Sequence, residues 1–252
     1  MVNDFSGKTA LVTGGGSGIG LATARMLAVR GIARLVVTDW VPEGLAALDD
    51  LPCDVVKLVG DVANERLWEG ASETLTGLDL ALINAGVSGS GEITDLDFGE
   101  WRRVLETNLD GAFLTLRAAM RAMKGKGGAI VVMSSATGLK AEVSTAAYGA
   151  SKAGLMQLMR VAAKEGAVDR IRVNAIAPAG VETAMWRTMP FFAALVSSTG
   201  SEEAAFAQIA GGSPLGRFAS AEEIAAQVAF LMSDAAATIT GATLTSDGGY
   251  LL

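Results

Sequence analysis

The chain of 252 residues contains no histidine and a single cysteine, Cys53. Without imidazole there is no Ser-His-Asp triad, no His-ligated zinc site and no histidine proton shuttle, so acid–base work falls to Tyr, Lys, Asp, Glu or water. One thiol makes neither an internal disulfide nor a zinc cluster, and Cys53 reads as a small apolar filler in a reducing compartment. Positive charge is scarce as well: 20 Lys+Arg face 27 Asp+Glu, a formal net charge of -7. That balance disfavours nucleic acid and anionic membrane surfaces and leaves a neutral or hydrophobic small molecule as the easier partner. The longest stretch free of charge, between Lys8 and Arg25, is interrupted by glycines, so no membrane span is expected. The N-terminus carries Asp4 and Lys8 without an apolar signal core, which points to a cytoplasmic protein.

What is abundant is apolar: half the residues (50%) are hydrophobic and 19% are charged, enough for one well-buried domain. No composition shift, Pro-rich linker or low-complexity tract marks a second one. Short β-branched runs alternate with Ala/Leu-rich segments of helical period, a rhythm that predicts a mostly parallel sheet with helices on both faces. Strands are expected at Thr9–Thr13, Leu35–Asp39, Val55–Gly60, Leu80–Asn84, Ala129–Ser134, Arg172–Ile176 and Ala242–Ser246. Helices are expected at Ile19–Arg30, Glu65–Leu75, Phe98–Met123, Ala147–Glu165 and Ala221–Ser233. The segment Ala184–Phe218, with Met185, Trp186, Met189, Phe191, Phe192 and Phe206, breaks the rhythm and reads as a substrate lid.

The turn Thr13-Gly14-Gly15-Gly16-Ser17-Gly18-Ile19-Gly20 joins the first strand to the first helix. Glycines 14, 18 and 20 let the backbone turn tightly, approach a pyrophosphate and pack the helix on the sheet, with the helix N-terminus facing the phosphate charge. The spacing is GxxxGxG rather than GxGxxG, and a plain turn is the competing reading. Asp39, 19 residues beyond Gly20, can accept both ribose hydroxyls of NAD and repel the 2′-phosphate of NADP; alternatively it caps the next helix. No Lys or Arg accompanies it. Asp61 and Val62 after the third strand, and Asn84, Ala85 and Gly86 after the fourth, would face the same crevice at the carboxyl ends of the strands, with Asp61 reaching an adenine amino group.

Ser135 follows the fifth strand, and Tyr148 and Lys152 lie 13 and 17 residues later. At i and i+4, the last two share a helix face. An ammonium stabilises phenolate and so makes Tyr148 a usable base, while Ser135 can donate a hydrogen bond to a substrate oxygen. Lys152 can also hold a nicotinamide ribose. Asn108 sits inside a predicted helix, where its amide could hold a water that carries protons from Lys152. An amphipathic Tyr-xxx-Lys pair at a helix edge is the bland alternative, and only its coincidence with Ser135 and the nucleotide features tells against it.

Taken together in this order, the Gly-rich turn, Asp39, Asp61, Asn84-Ala85-Gly86, Asn108, Ser135, Tyr148, Lys152, Asn174 and Pro178 resemble the classical short-chain dehydrogenase/reductases over nearly the whole chain. The resemblance implies a Rossmann-like doubly wound α/β fold with a seven-stranded central sheet, and a catalytic tetrad of Asn108, Ser135, Tyr148 and Lys152. It also implies nicotinamide contacts from Val181 and Thr183 beside Pro178, no metal, and a homotetramer. One departure stands out: the family's glycine directly after the proline is Ala179 here, followed by Gly180. Asp247-Gly248-Gly249 matches the family's C-terminal turn. With Asp39 pointing to NAD and the Met-, Trp- and Phe-rich segment Ala184–Phe218 to a low-polarity pocket, the expected activity is NAD-dependent interconversion of a secondary alcohol and a ketone on an alicyclic, aromatic or aliphatic substrate; those side chains could instead only pack the segment onto the domain or a neighbouring subunit. A 3-oxoacyl-thioester reductase and a non-catalytic dinucleotide-binding protein are the alternatives. The nearly all-round apolar helix Ala147–Glu165 fits a subunit contact.

Overall fold

In the computed structural model, residues 4–252 are described. Seven strands form one sheet in the order β3-β2-β1-β4-β5-β6-β7, and every neighbouring pair is parallel. They are β1 (Thr9–Thr13), β2 (Arg34–Asp39), β3 (Asp54–Val59), β4 (Leu80–Ile83), β5 (Gly128–Met133), β6 (Ile171–Pro178) and β7 (Thr243–Ser246). The expected strands are all present, with β6 reaching two residues further, to Pro178.

Side chains alternate along the strands, and in the inner strands β1, β2, β4, β5 and β6 both sets are largely buried, as a sheet covered on two faces requires. On one face Ala10, Val12, Leu35, Val37, Leu82 and Val131 pack beneath α1 (Gly18–Val29) and α8 (Ala221–Met232). On the other, Leu11, Val36, Ile83, Ile130 and Val173 meet α2 (Glu65–Gly70), α4 (Gly111–Met123) and α5 (Ala146–Gly166). Cys53 is a half-buried free thiol packed against the first core.

Three expectations about helices change. The single helix expected over Phe98–Met123 is α3 (Phe98–Leu105) and α4, joined by a wider π turn at Glu106–Asp110 that contains Asn108. The expected Glu65–Leu75 helix ends at Gly70, because Gly70, Ser72 and Thr74 are poor helix formers and the chain continues as turns. The segment 184–218, expected to be a lid, is not an irregular connection: it holds α6 (Pro190–Thr199), closed by Gly200 at φ 86, and α7 (Glu202–Ala210), capped by Ser201.

The sheet and α8 are tied together by one cation. The Arg172 guanidinium, on β6, donates to the carbonyls of Leu231 (2.9 Å), Ile239 (3.3 Å), Met232 (3.3 Å) and Ser233 (3.1 Å). These include the orphan carbonyls at the C-terminus of α8, where a positive charge also complements the helix dipole. Arg172→Met should therefore lower unfolding stability by about 2–4 kcal/mol, the scale of charged hydrogen bonds lost with their acceptors left buried. An unchanged urea midpoint at pH 7 would show that this cation does not hold α8.

Candidate active site

The strand order reverses between β1 and β4, and there the carboxyl ends of the strands open into a crevice of about 300 Å³. Its walls include Gly14, Ser17, Gly18, Ile19, Asp39, Asp61, Val62, Asn84, Ala85, Gly86 and Thr183, so most of the residues expected to hold a dinucleotide converge. Trp40, Arg103, Thr107 and Met185 line it too; of these, the sequence had singled out only Met185, in the segment expected to cover a substrate.

The Gly-rich loop is held from below. The Thr13 hydroxyl accepts hydrogen bonds from the backbone N–H of Asn84 (2.9 Å) and Ala85 (3.1 Å). The Asn84 amide donates to the carbonyls of Thr13 (3.0 Å) and Gly14 (3.2 Å). Asn84 thus clamps the loop rather than reaching outward. Gly20 lies behind the crevice wall: a Cβ there would fall 2.0 Å from the Gly14 carbonyl oxygen, so only glycine lets α1 seat against the loop. Gly14 (φ 64) and Gly18 (φ 50) adopt backbone that L side chains rarely take.

Asp39 is fixed by its Oδ2, which accepts from the Gly16 N–H (2.9 Å), and its Oδ1, which accepts from the Val41 N–H (3.1 Å). The alternative that Asp39 caps the next helix does not hold, because the 3-10 turn Pro42–Leu48 starts at Val41 without a side-chain cap. Asp61 is exposed and spends Oδ1 on the Ala63 N–H at 2.9 Å.

These features fit a nicotinamide dinucleotide. Ser17, the residue before α1, makes no side-chain cap, and no acidic residue occupies the helix's first turn. Its free backbone donors therefore belong to residues that line the crevice, the arrangement that attracts a pyrophosphate. A Cβ on Gly18 would come within 3.3 Å of Thr183 across the gap.

Ser135, Tyr148 and Lys152 gather beside Gly86. Ser135 is buried after β5, and its Oγ lies 3.5 Å from the Pro178 carbonyl oxygen. Tyr148 is half-buried at the start of α5; burial pushes its pKa above the ordinary 10, against an opposing hydrogen bond from Ser135. Lys152 is buried, and desolvation brings its pKa down to about 8.

The ammonium does not touch the phenol oxygen. Nζ donates to the Met133 carbonyl at 3.0 Å and stands 5.5 Å from the Tyr148 ring centroid. The expected pull of Lys152 on the phenol is therefore replaced in this arrangement by that of Ser135. The reason is local: a buried ammonium needs a hydrogen-bond acceptor, and the end of β5 supplies one.

Asn108 also differs from expectation. Its Oδ1 accepts from the Val87 N–H (2.7 Å), and its Nδ2 donates to the Val87 carbonyl (3.0 Å) and Ser151 Oγ (3.2 Å). With both amide protons committed to protein, the side chain fixes the loop after β4 instead of donating to a water. A Cβ on Gly86 would lie 3.1 Å from that Oδ1 and 3.5 Å from Lys152 Nζ, so the absence of a side chain there keeps the three groups together.

Pro178 and Val181 do not line the crevice. Val181 is buried, its segment pairs with Ala219, and its carbonyl accepts from Trp186 Nε1 at 2.8 Å. The lid aromatics mostly face one another: Trp186 stacks on Phe218 at 5.1 Å and 23°, and Phe192 meets Phe206 at 4.8 Å. Packing within the lid consumes the surface expected to line a substrate pocket, leaving Met185 as the lid methionine in the crevice. Asp247 closes the C-terminal turn by accepting from the N–H groups of Gly249 and Leu251, both at 3.0 Å, and Gly248 accepts from Leu215 N at 3.0 Å, so the turn anchors the end of the lid.

Among the described residues, no group of His, Cys, Asp and Glu side chains could hold a metal ion, and no helix is long and apolar enough to cross a membrane.

Comparison with known proteins agrees with this geometry. A family model described as enoyl-(acyl carrier protein) reductase matches residues 14–251. The chain is 38% identical to cis-4-hydroxycyclohexanecarboxylate dehydrogenase of Sinomonas cyclohexanicum, covering 98% of this chain and 97% of the relative. It is 36% identical to 3-oxoacyl-[acyl-carrier-protein] reductase of Escherichia coli K12, over 99% of both. A crystal structure of a short-chain type dehydrogenase/reductase from Mycobacterium marinum superposes with a TM-score of 0.86 at 30% identity, covering 99% of this chain and 97% of that one. With its strand order, its strand-end crevice and its Ser135, Tyr148 and Lys152 in one place, the chain belongs to the short-chain dehydrogenase/reductase family.

Proposed function

We propose that the protein is an NAD-dependent oxidoreductase that interconverts a secondary alcohol and a ketone on a low-polarity, preferably alicyclic, substrate. The observation that carries this reading is the meeting of Ser135, Tyr148 and Lys152 beside a crevice whose far end holds Asp39. The relative named for hydroxycyclohexanecarboxylate oxidation supports the alicyclic class. Thr183, which follows β6, lines the same crevice, and we assign the nicotinamide end to that side. The segment 184–218 acts as the lid of one catalytic domain.

Bound in the crevice, the dinucleotide supplies the hydride acceptor. Tyr148 takes the hydroxyl proton of the alcohol, and Ser135 donates a hydrogen bond to the same oxygen as its charge changes. Lys152 keeps a positive charge near the phenol and presents its remaining donors toward the ribose. Asn108 holds the loop after β4 at the edge of this group.

Asp39 favours NAD because a second negative charge would sit against its carboxylate. The one cation lining the crevice among the described residues, Arg103, is committed to Glu100 at 2.7 Å and to the Ser88 carbonyl at 2.7 Å. The Escherichia coli relative supports a second reading, reduction of 3-oxoacyl thioesters. Asp39 and the net charge of -7 weigh against it, since an acidic carrier protein needs a basic surface. Exposed Phe113 and Val161 on α4 and α5 support a homotetramer, and the composition supports a cytoplasmic location.

Turnover of a secondary-alcohol panel with NAD tests the assignment. Tyr148→Phe should lower kcat about 10²–10⁴-fold while the fold is retained, and wild-type kcat/KM for oxidation should climb as pH rises, because a phenol held above its ordinary pKa is a base only when deprotonated. Full activity of the Phe variant would remove Tyr148 from the chemistry. Asp39→Ser should weaken NAD about tenfold, the loss of roughly one charged hydrogen bond, and improve NADP; an unaltered ratio of the two would refute the cofactor assignment.

Lys152 also makes a stability prediction. Its folded pKa of about 8 lies below the ordinary 10.5, so between those values the unfolded chain holds a proton that the folded one has lost. Stability contributed by this group therefore rises with pH through that window, and below pH 8 the burial cost is present in full. Lys152→Met should be inert yet more stable at pH 7, by about 1–3 kcal/mol after allowance for the lost bond to Met133. Denaturant unfolding at pH 7 and pH 10 should show that advantage shrinking, and a variant less stable at both values would contradict it.

A further inference from the structure

Ser135 has a partner that the proton chemistry above does not use. The Thr137 hydroxyl donates to Ser135 Oγ at 2.9 Å, and the Thr137 backbone N–H donates to the same oxygen at 3.3 Å. A serine hydroxyl has two lone pairs and one proton. With both lone pairs filled by Thr137, only the proton remains to be given. Its one protein acceptor other than Tyr148 is the Pro178 carbonyl, at a long 3.5 Å.

We propose that Thr137 is a positioning residue that makes Ser135 a committed hydrogen-bond donor, its one proton going to the phenol in the free protein and to the reacting oxygen when substrate is bound. The inference rests on the proposed roles of Ser135 and Tyr148. A hydroxyl that accepts hydrogen bonds becomes a stronger donor, because successive bonds polarise one another. The backbone N–H alone is enough to cap the short turn Ala136–Gly138; the side-chain hydroxyl is additional, and its removal leaves the cap in place.

The turn cannot drift away from the site. A Cβ on Gly138 would fall 2.8 Å from the Lys152 carbonyl carbon and 2.9 Å from Ala153 N, so the turn lies directly on α5 one residue past Thr137. On its other side Thr137 lines a broad open cavity of about 750 Å³, together with the charged Glu92, Lys140 and Glu142. On the inner side, the titratable groups around Ser135 are Tyr148, its hydrogen-bond partner, and Lys152, whose Nζ is held by Met133.

The chain has only two tyrosines, Tyr148 and Tyr250, so the ionisation of Tyr148 can be read by phenolate absorbance in a Tyr250→Phe background, without substrate or dinucleotide. In that background Thr137→Val and Thr137→Ala should move the Tyr148 titration upward by about half a pH unit, a modest share of one hydrogen bond, and Thr137→Ser should restore it. Ser135→Ala should move it further. Alcohol oxidation by Thr137→Val should lose about tenfold in kcat, a fraction of what loss of a direct donor costs, with recovery in Thr137→Ser. If Thr137→Val titrates like its parent while Ser135→Ala shifts, Thr137 is a cap and nothing more, and the proposal fails. If Ser135→Ala does not shift either, the Ser135–Tyr148 contact fails with it, and the reading of the active site must be revised.

Discussion

The seam between β1 and β4 is the constraint from which the site follows. The strand order is built outward from it in both directions, β1-β2-β3 on one side and β4-β5-β6-β7 on the other, so the connections leave the carboxyl ends of β1 and β4 in opposite directions. The two strands pair as far as Val12 and Leu82, and beyond that point side chains tie their ends together. Thr13 Oγ1 receives the Asn84 and Ala85 N–H groups, and the Asn84 amide returns bonds to the carbonyls of Thr13 and Gly14. Because Gly14 begins the loop and Gly20 seats α1 against its carbonyl, the same ties set the direction in which the helix N-terminus points. The anion-attracting end of α1 is thereby placed by two polar side chains that need not touch a ligand.

The proton transfer proposed for Tyr148, without histidine, would set its own electrostatic conditions. Phenol and ammonium ordinarily titrate near 10, and burial drives them in opposite directions, the phenol up and the ammonium down to about 8. Left to desolvation, the phenol would be reluctant to ionise and the cation ready to discharge. Ser135 opposes the first tendency with a hydrogen bond, and the Met133 carbonyl gives the ammonium an acceptor it would otherwise lack. The site is thus held together by neutral hydrogen-bonding partners rather than by carboxylates, consistent with the scarcity of buried acidic side chains among the described residues. Burying a charged lysine for this purpose costs stability, a common trade at functional sites.

The strands and the order of the site residues were legible because they depend on patterns of short range: doubly buried β-branched runs, glycine where φ must be positive, Tyr and Lys four apart. What could not be read depends on where a side chain turns once neighbours are present. Asn108 sits where the sequence suggested, yet its amide is spent on Val87 and Ser151, residues 21 and 43 positions away. The π turn that carries it leaves no mark in hydrophobic period, because one extra residue in a helix shifts the apolar face by no more than ordinary irregularity does. The lid aromatics were visible as composition, but whether Trp186 faced a substrate or Phe218 was a question of packing. Thr137, two residues from Ser135, carried no motif at all.

The departure after Pro178 shows how such packing reaches back into sequence. Ala179 donates to the Ser246 carbonyl at 3.3 Å, so this residue completes the pairing of β6 with β7 and has no special need of glycine. Gly180 is different: a Cβ there would lie 2.1 Å from the Phe218 ring, an overlap that no side-chain adjustment by a stacked aromatic could relieve. Phe218 is in turn stacked on Trp186, whose indole N–H is tied to the Val181 carbonyl. The glycine therefore sits where the lid's aromatic stack lands on the chain, one residue later than the family pattern, and the backbone from Gly180 to Val181 is pinned by Ala219 on both sides, through Ala219 N to the Gly180 carbonyl and Glu182 N to the Ala219 carbonyl. Since Thr183 reaches the crevice only two residues on, the position of the lid and the shape of the site's outer wall are set by the same contact.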